Sequence, residues 1–375
     1  MNSRVNYIDN LRTIVVSLLI VYHLAMAYNS WGETNYIFFE RVNLIASIVV
    51  FMSPWFMPLM FLLAGVSASF SIRKRGYSSF IKERFIRLGI PLMVGIIIIN
   101  PVLSFVADKT HNGYVGNYFE HYSVYFTRYT DLTGYDGGFT LGHFWFIAVL
   151  ILISCAGCGI IRVIECISKN NKNTIAVINC VIIILAIGLF DIAFFGKRIP
   201  TYLCVYLLGY YLFSNQDFLE KLVKIKWIFV LLFLLSSVMN AILFVYIDEY
   251  ELLNNICNYV SFISGIPALL CIGKEYLDYS NKVSRYCSRL SYVFYCVHFP
   301  IVVLCQYFIS LTGVESICNF VLSLTISTIT TCSACYIIGK SNVIGVLFGL
   351  KRNKVTKKNS FGYNRSQAQK NSGYH

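Results

Sequence analysis

Ten stretches of this chain are apolar for roughly the length needed to cross the ~30 Å hydrocarbon core of a bilayer, and that recurrence narrows the fold more than any motif does. Their limits are Leu11 to Tyr28, Val42 to Phe70, Leu88 to Ala107, Phe144 to Ile161, Ile175 to Phe195, Ile199 to Phe213, Trp227 to Ile247, Ile256 to Ile272, Leu290 to Leu311 and Ile317 to Ile338. Hydrocarbon offers no partner to a bare N–H or C=O, so a crossing segment closes its hydrogen bonds within itself as a helix. The expected fold is therefore all-α, a polytopic integral membrane bundle of about ten transmembrane helices. Composition agrees: 57% of the 375 residues are hydrophobic and 13% charged, with a mean hydropathy of +0.64, outside the range of a soluble globule. A net charge of +13 would raise nucleic-acid binding in a soluble chain. Here the apolar runs leave no room for it, and no nucleic-acid partner is expected.

The basic residues also orient the bundle. With ten spans both termini share one side, and the loops on that side carry 26 Lys and Arg, starting with Arg4 and Arg12, against 5 on the other. The positive-inside rule places both termini in the cytoplasm. The first span carries Arg12 and His23 with no small-residue cleavage site after it, so it reads as a retained helix and not a signal peptide. The sixth span is short and flanked by Pro200, which marks it as tilted or partial. A membrane domain over residues 1–345 and a basic flexible tail over 346–375, lying against anionic headgroups, complete the expected organisation. The outer connection from Asp108 to Gly142 is long and rich in Tyr and Phe. Its aromatics suit stacking on sugar faces and, equally, lying at the membrane interface.

Ionisable groups inside a membrane are costly and mark function or interhelical ties. Arg12 and His23 lie 11 positions apart, about three full turns plus 20°, so one helix face carries both about 16 Å apart. That suits a path through part of the membrane, as it also suits a snorkelling Arg and a hydrogen-bonded His. Six positive charges lie between Arg73 and Arg87. Arg84 and Arg87 fall on one face, able to hold the phosphates of an anionic donor or only to signal orientation. His143 in GHFWF and His298 in YCVHFP are further candidates, each also readable as a structural tie. Pro300 frees carbonyls near His298. The two CxxC pairs, Cys155/Cys158 and Cys332/Cys335, sit in apolar helical runs and read as small buried side chains, so no metal site is expected. No HxxxxD, Walker, GxSxG or HExxH pattern is present.

Taken in order, NYIDNLRTIVVSLLIVYH, MFLLAG, ERFIRLGIP, GHFWF and SYVFYCVHFP resemble the membrane acyltransferase-3 family, which O-acylates envelope and extracellular glycans. GIP and GHFWF resemble in particular its glucan succinyltransferase-like branch. The resemblance implies that Arg12 and His23 match the family's essential first-helix pair and that Arg84 and Arg87 match its RxxR motif. It places His143, Trp145, Tyr295 and His298 at motif positions. The family's Ser-Gly in the second helix is Ala64-Gly65 here, and the extra hydrolase-like domain of some members has no counterpart.

What this implies is an enzyme, an acyltransferase for groups other than aminoacyl groups, in a bacterial inner (plasma) membrane. His23 and Arg12 would be catalytic. Acyl-CoA, as acetyl-CoA or succinyl-CoA, would be a co-substrate with no cofactor bound, its phosphates near Arg84 and Arg87 and near Arg73 and Arg75. His143, Trp145, Tyr295 and His298 would support the site. Acetyl is expected before succinyl, and the acceptor would be a hydroxyl of a glycan or lipid-linked sugar. The other expected partners are membrane lipids, with a homo-oligomer left open. A proton-coupled transporter or flippase of a glycan or anionic substrate would use the same intramembrane His and Arg, and an inactive assembly partner is the third reading.

Overall fold

A computed structural model describes residues 6–168, 171–247 and 249–350. Arg4, Asp248 and the tail from 351 onward, which entered the reasoning above, lie outside the described residues. Eight helices are long and apolar enough to cross a membrane: α1 (Asn6–Met26), α2 (Asn43–Arg75), α3 (Tyr77–His111), α5 (Gly142–Ser168), α9 (Lys226–Ile247), α10 (Glu251–Tyr276), α11 (Lys282–Ser310) and α12 (Ser316–Lys340). Between them come α4 (Tyr118–Thr127), α6 (Lys172–Gly188), α7 (Ile199–Tyr211), α8 (Gln216–Lys224) and α13 (Asn342–Leu347). No strand is found among the described residues beyond an isolated bridge at Phe194 and Lys197.

Each of the ten apolar stretches is helical, but two fall short of a full crossing length. Helix α6 has 17 residues and α7 has 13, and α7 at about 20 Å cannot span the hydrocarbon by itself. Pro200 sits in its first turn, where a missing N–H costs nothing. Most of α7 is buried, because its backbone lies directly on α2. A methyl group on Gly65 would run into the carbonyl of Tyr206, and one on Gly209 into the carbonyl of Leu62. Two glycines facing two carbonyls bring the helix axes closer than any larger residue allows, the usual means of holding helices together where water does not drive them.

Helix α3 is not regular. Residues Phe85–Gly89 and Gly95–Ile99 form wide π turns, and each is followed by a proline, Pro91 or Pro101. Proline lacks the N–H that would close the preceding turn and crowds the carbonyl four residues back, so the helix widens there. The carbonyl of Ile96, five residues before Pro101, is taken by the hydroxyl of Tyr125 from α4 at 2.9 Å.

The two ends of the bundle are closed differently. At the end carrying most of the arginines and lysines, Asn10 donates to the carbonyls of Leu277 and Tyr279, Tyr77 to Glu165, and Arg289 to the carbonyl of Gly339. At the opposite end the connection from Asp108 to Gly142 folds down onto the bundle. Tyr36 donates to the carbonyl of Thr133, Thr110 to the carbonyl of Tyr36, and Ser104 to the carbonyl of Gly137. Asp108, fully buried, takes His121 at 3.1 Å and Arg128 at 3.3 Å. Of the tyrosines in this connection Tyr125 is buried, its hydroxyl on the carbonyls of Ile96 and Thr140, while Phe119 and Tyr129 remain exposed.

Cys332 is exposed and its CxxC partner Cys335 buried, so one member of that pair lies on the outer surface of the bundle, contrary to the expectation that all four CxxC thiols are buried. The expected domain limit at 345 falls within α13, and Gly349 packs against Tyr292 and the carbonyl of Arg87. Residues 346–350 are therefore part of the bundle.

Candidate active site: an arginine-lined cavity and a histidine cluster

Helices α1 and α11 are neighbours along their length, and each carries arginine near the basic end and histidine further in. This shared polarity builds the site.

At the basic end a cavity of about 800 Å³ opens between α1, α2, α3, α5, α11, α12 and α13, within the usual size of a small-molecule site. Arg12, Arg75, Arg84, Arg87, Arg285 and Arg289 line it, with only Asp9 and Glu83 as acids. Arg12 is fixed from two sides, donating to Ser67 at 2.7 Å and pairing with Asp9 at 3.3 Å. Glu83 bridges Arg75 and Arg87. Arg84 lies over the ring of Phe80, 4.8 Å from its centroid. Arg73 is exposed and not in the cavity wall. Two residues along a helix is about 200° of rotation, which turns it away from the side that carries Arg75.

Beyond its arginines the cavity becomes apolar, ending against Val16, Met60, Phe146, Ile147 and Tyr295. A further void of about 10 Å³ continues between Val16, Leu19, Phe56, Met57, Met60, Phe146 and Tyr295. That is room for about one water, so the passage is a closed neck. Leu19 stands one turn before His23.

His23, half-buried, stacks on Phe299 at 4.0 Å between centroids and faces His298 at 5.3 Å. His143 completes the cluster, 5.2 Å from His298. The protons of two of these rings follow from their partners, because a carbonyl can only accept. Nδ1 of His298 lies 2.8 Å from the carbonyl of Tyr295 and 3.2 Å from that of Phe294, so in the neutral ring Nδ1 holds the proton and Nε2 is bare. Nε2 of His143 lies 3.1 Å from the carbonyl of Cys296, so there Nδ1 is bare. Both bare nitrogens are buried and have no hydrogen-bond partner among the described residues.

The acceptor for His143 exists because of Pro300. In a regular helix the carbonyl of Cys296 would pair with the N–H of residue 300, and proline has none. Tyr295 completes the lock by donating its hydroxyl to the backbone carbonyl of His143. His143 itself stands on a turn that needs glycine: Gly142 has φ +48, and a Cβ there would meet Leu103 at 2.9 Å. Trp145, two residues on, is not in the cluster. It stacks on Tyr202 and carries Lys197 4.8 Å from its ring centroid.

The structure thus unites Arg12, Arg75, Arg84 and Arg87 in one cavity and His23, His143, Tyr295 and His298 in one cluster, leaving Arg73 and Trp145 apart from both. Sequence reasoning overlooked Ser67, Glu83, Arg285 and Arg289. The two late arginines had a signal, their four-residue spacing at the start of a span, but one that any orienting basic loop also produces.

Chemically, a cationic cavity beside bare imidazole nitrogens combines anion binding with proton acceptance. The chain matches the family described as "Acyltransferase domain" over residues 5–340. Comparison with curated proteins and with solved structures gave no match. A match running from before α1 to the last residue of α12 takes in the histidine cluster and every arginine of the cavity, and the chain accordingly belongs to the acyltransferase-3 family, as a multi-pass membrane acyltransferase acting on groups other than aminoacyl groups.

Proposed function

We propose that this protein is a membrane O-acyltransferase that takes an acyl group, acetyl before succinyl, from cytoplasmic acyl-CoA and moves it to a hydroxyl of an envelope or extracellular glycan or a lipid-linked sugar. The observation that carries the reading is the pairing of arginine and histidine on two adjacent helices. Arg12 and His23 are about 16 Å apart along α1, and Arg289 and His298 about 14 Å along α11. A donor with phosphates at one end and a thioester at the other suits such a spacing. The cytoplasm holds acyl-CoA, and the positive-inside rule turns the arginine-lined mouth toward it in the inner membrane.

In this mechanism Arg12, Arg84 and Arg87 hold the diphosphate, and the pantetheine arm enters the apolar part of the cavity. The neck at Leu19, Met60, Phe146 and Tyr295 opens to bring the thioester beside His23. His23 takes the proton of the acceptor hydroxyl as its oxygen attacks the thioester carbonyl, a role typically worth 10²- to 10⁴-fold. The oxyanion collapses, the carbon–sulfur bond breaks, and the proton passes from His23 to the leaving thiolate, giving ester and free CoA. His298, with Nε2 bare beside His23, can relay that proton. Tyr295 and His143 hold α11 and α5 in register around the reacting groups.

The test is free CoA release by purified protein in nanodiscs given acetyl-CoA or succinyl-CoA and a glycan acceptor. Wild type turns over, whereas His23→Ala binds acyl-CoA as before and turns over at least a hundredfold more slowly. Gradient-dependent movement of a glycan or anion with no CoA release would overturn the enzyme reading in favour of a transporter.

A further inference from the structure

Arg285 and Arg289 differ from three of the other four arginines of the cavity in their pairing, and from Arg84, which also lacks a carboxylate partner among the described residues, in that Arg84 lies against the ring of Phe80. Arg12 pairs with Asp9, and Arg75 and Arg87 share Glu83. Among the described residues no carboxylate pairs with Arg285 or Arg289, which touch only the hydroxyl of Ser280 and the carbonyl of Gly339. They sit one helical turn apart on α11 and point into one wall of the mouth. Two guanidinium groups at this spacing form a two-armed fork for a group presenting several anionic oxygens.

Their depth matters too. From His298, Arg289 lies about 14 Å and Arg285 about 20 Å away along α11, so Arg289 is about level with Arg12 and Arg285 stands further out; both are exposed, as are Arg75 and Arg87, whereas Arg12 and Arg84 are partly buried. The cavity therefore carries this pair on the α11 wall and its other four arginines on α1, α2 and α3. Six arginines against two carboxylates leave four positive charges unmatched. A diphosphate diester with two charges and a phosphomonoester with nearly two would balance them.

Resting on the acyl-CoA reading above, we propose that Arg285 and Arg289 form a separate subsite for the 3′-phosphomonoester of the donor nucleotide. They make the enzyme select CoA thioesters over otherwise identical donors lacking that phosphate. In an acyl-CoA the 3′-phosphate is a group separate from the diphosphate, which matches a fork on α11 separate from the arginines of α1 and α3. The unpaired fork is the more suitable holder of a dianion, since a phosphate there displaces no internal carboxylate.

The experiment is equilibrium binding of CoA and 3′-dephospho-CoA to full-length protein in nanodiscs, for wild type, the Arg285→Ala/Arg289→Ala double variant and Arg84→Ala. Wild type is expected to bind CoA roughly ten- to a hundredfold more tightly than dephospho-CoA, the worth of one or two hydrogen bonds to a charged group. In the double variant CoA affinity falls to that of dephospho-CoA, while dephospho-CoA binding is unchanged, which also shows that the variant is folded. Arg84→Ala weakens both ligands and keeps their ratio. A ratio that survives in the double variant, or equal binding of the two ligands to wild type, overturns the subsite and leaves the donor reading standing. Failure of wild type to bind either nucleotide overturns both.

Discussion

His298 and His143 hold their protons on opposite ring nitrogens, and each choice is imposed by a backbone carbonyl of α11. Amide side chains can therefore separate structure from chemistry at the two positions. In His298→Asn the amide nitrogen replaces Nδ1 and keeps its contact, but the bare nitrogen is gone. Thermal stability should hold, and turnover should fall if the proton relay uses that atom. In His143→Gln the amide nitrogen replaces Nε2 and preserves the bond to Cys296, whereas His143→Asn falls short and leaves a buried carbonyl unpaired, a loss of about 1–3 kcal/mol. Melting of the solubilised protein with parallel CoA-release assays checks both. A different histidine responds to pH at the end of the bundle opposite the cavity mouth. Burial lowers the pKa of His121 from its usual 6.5, against the opposing attraction of Asp108. The folded state thus binds this proton less readily than the unfolded chain does. Its contribution is fully present above about pH 6.5 and is lost as pH falls toward the lower folded value. Melting temperatures across pH 5 to 7.5, roughly the span in which histidine titrates, should drop on acidification in wild type and drop less in His121→Asn.

Among the elements, the prolines of α3 and α11 show how one residue type serves two ends. Pro91 and Pro101 follow wide turns, and Pro300 releases the carbonyl that His143 needs. The GIP and HFP patterns thus carried structural information that helical periodicity did not, because periodicity describes only the regular part of a helix. The contact of α2 with α7 is set by glycine. Gly65→Ala would push a methyl into the Tyr206 carbonyl, and since backbone cannot yield as a flexible side chain does, the cost is at least about 1–3 kcal/mol. Reduced yield and a lower melting temperature are expected, with the residual folded protein still binding acyl-CoA. Neither Ala64 nor Gly65 supplies a hydroxyl. The structural demand falls on the glycine.

On the scale of the whole molecule, the bundle has a basic end with an open cavity and an opposite end onto which the Asp108-centred connection folds. Cys287 is exposed near the cavity mouth, between Arg285 and Arg289. In a variant retaining Cys287 as its one thiol, a membrane-impermeant maleimide should label it only after the cells are opened. Labelling of intact cells would reverse the proposed orientation and remove the cytoplasmic donor.

The membrane class, the helical fold and the face shared by Arg12 and His23 were legible in sequence, since each depends on local hydrophobicity and on the 3.6-residue period. The π turns, the short reach of α7 and the separation of Arg73 from Arg75 were only partly legible. The lock between His143 and α11 joins groups 153 residues apart, and the Arg285–Arg289 fork matters only because α1, α2 and α3 close the cavity opposite it. Sequence by itself determined which segments leave water and which charges stay at their ends, because transfer to hydrocarbon is a property of each segment. Only the tertiary structure decided which of those charges meet, because a binding site depends on distances between helices that no segment encodes alone.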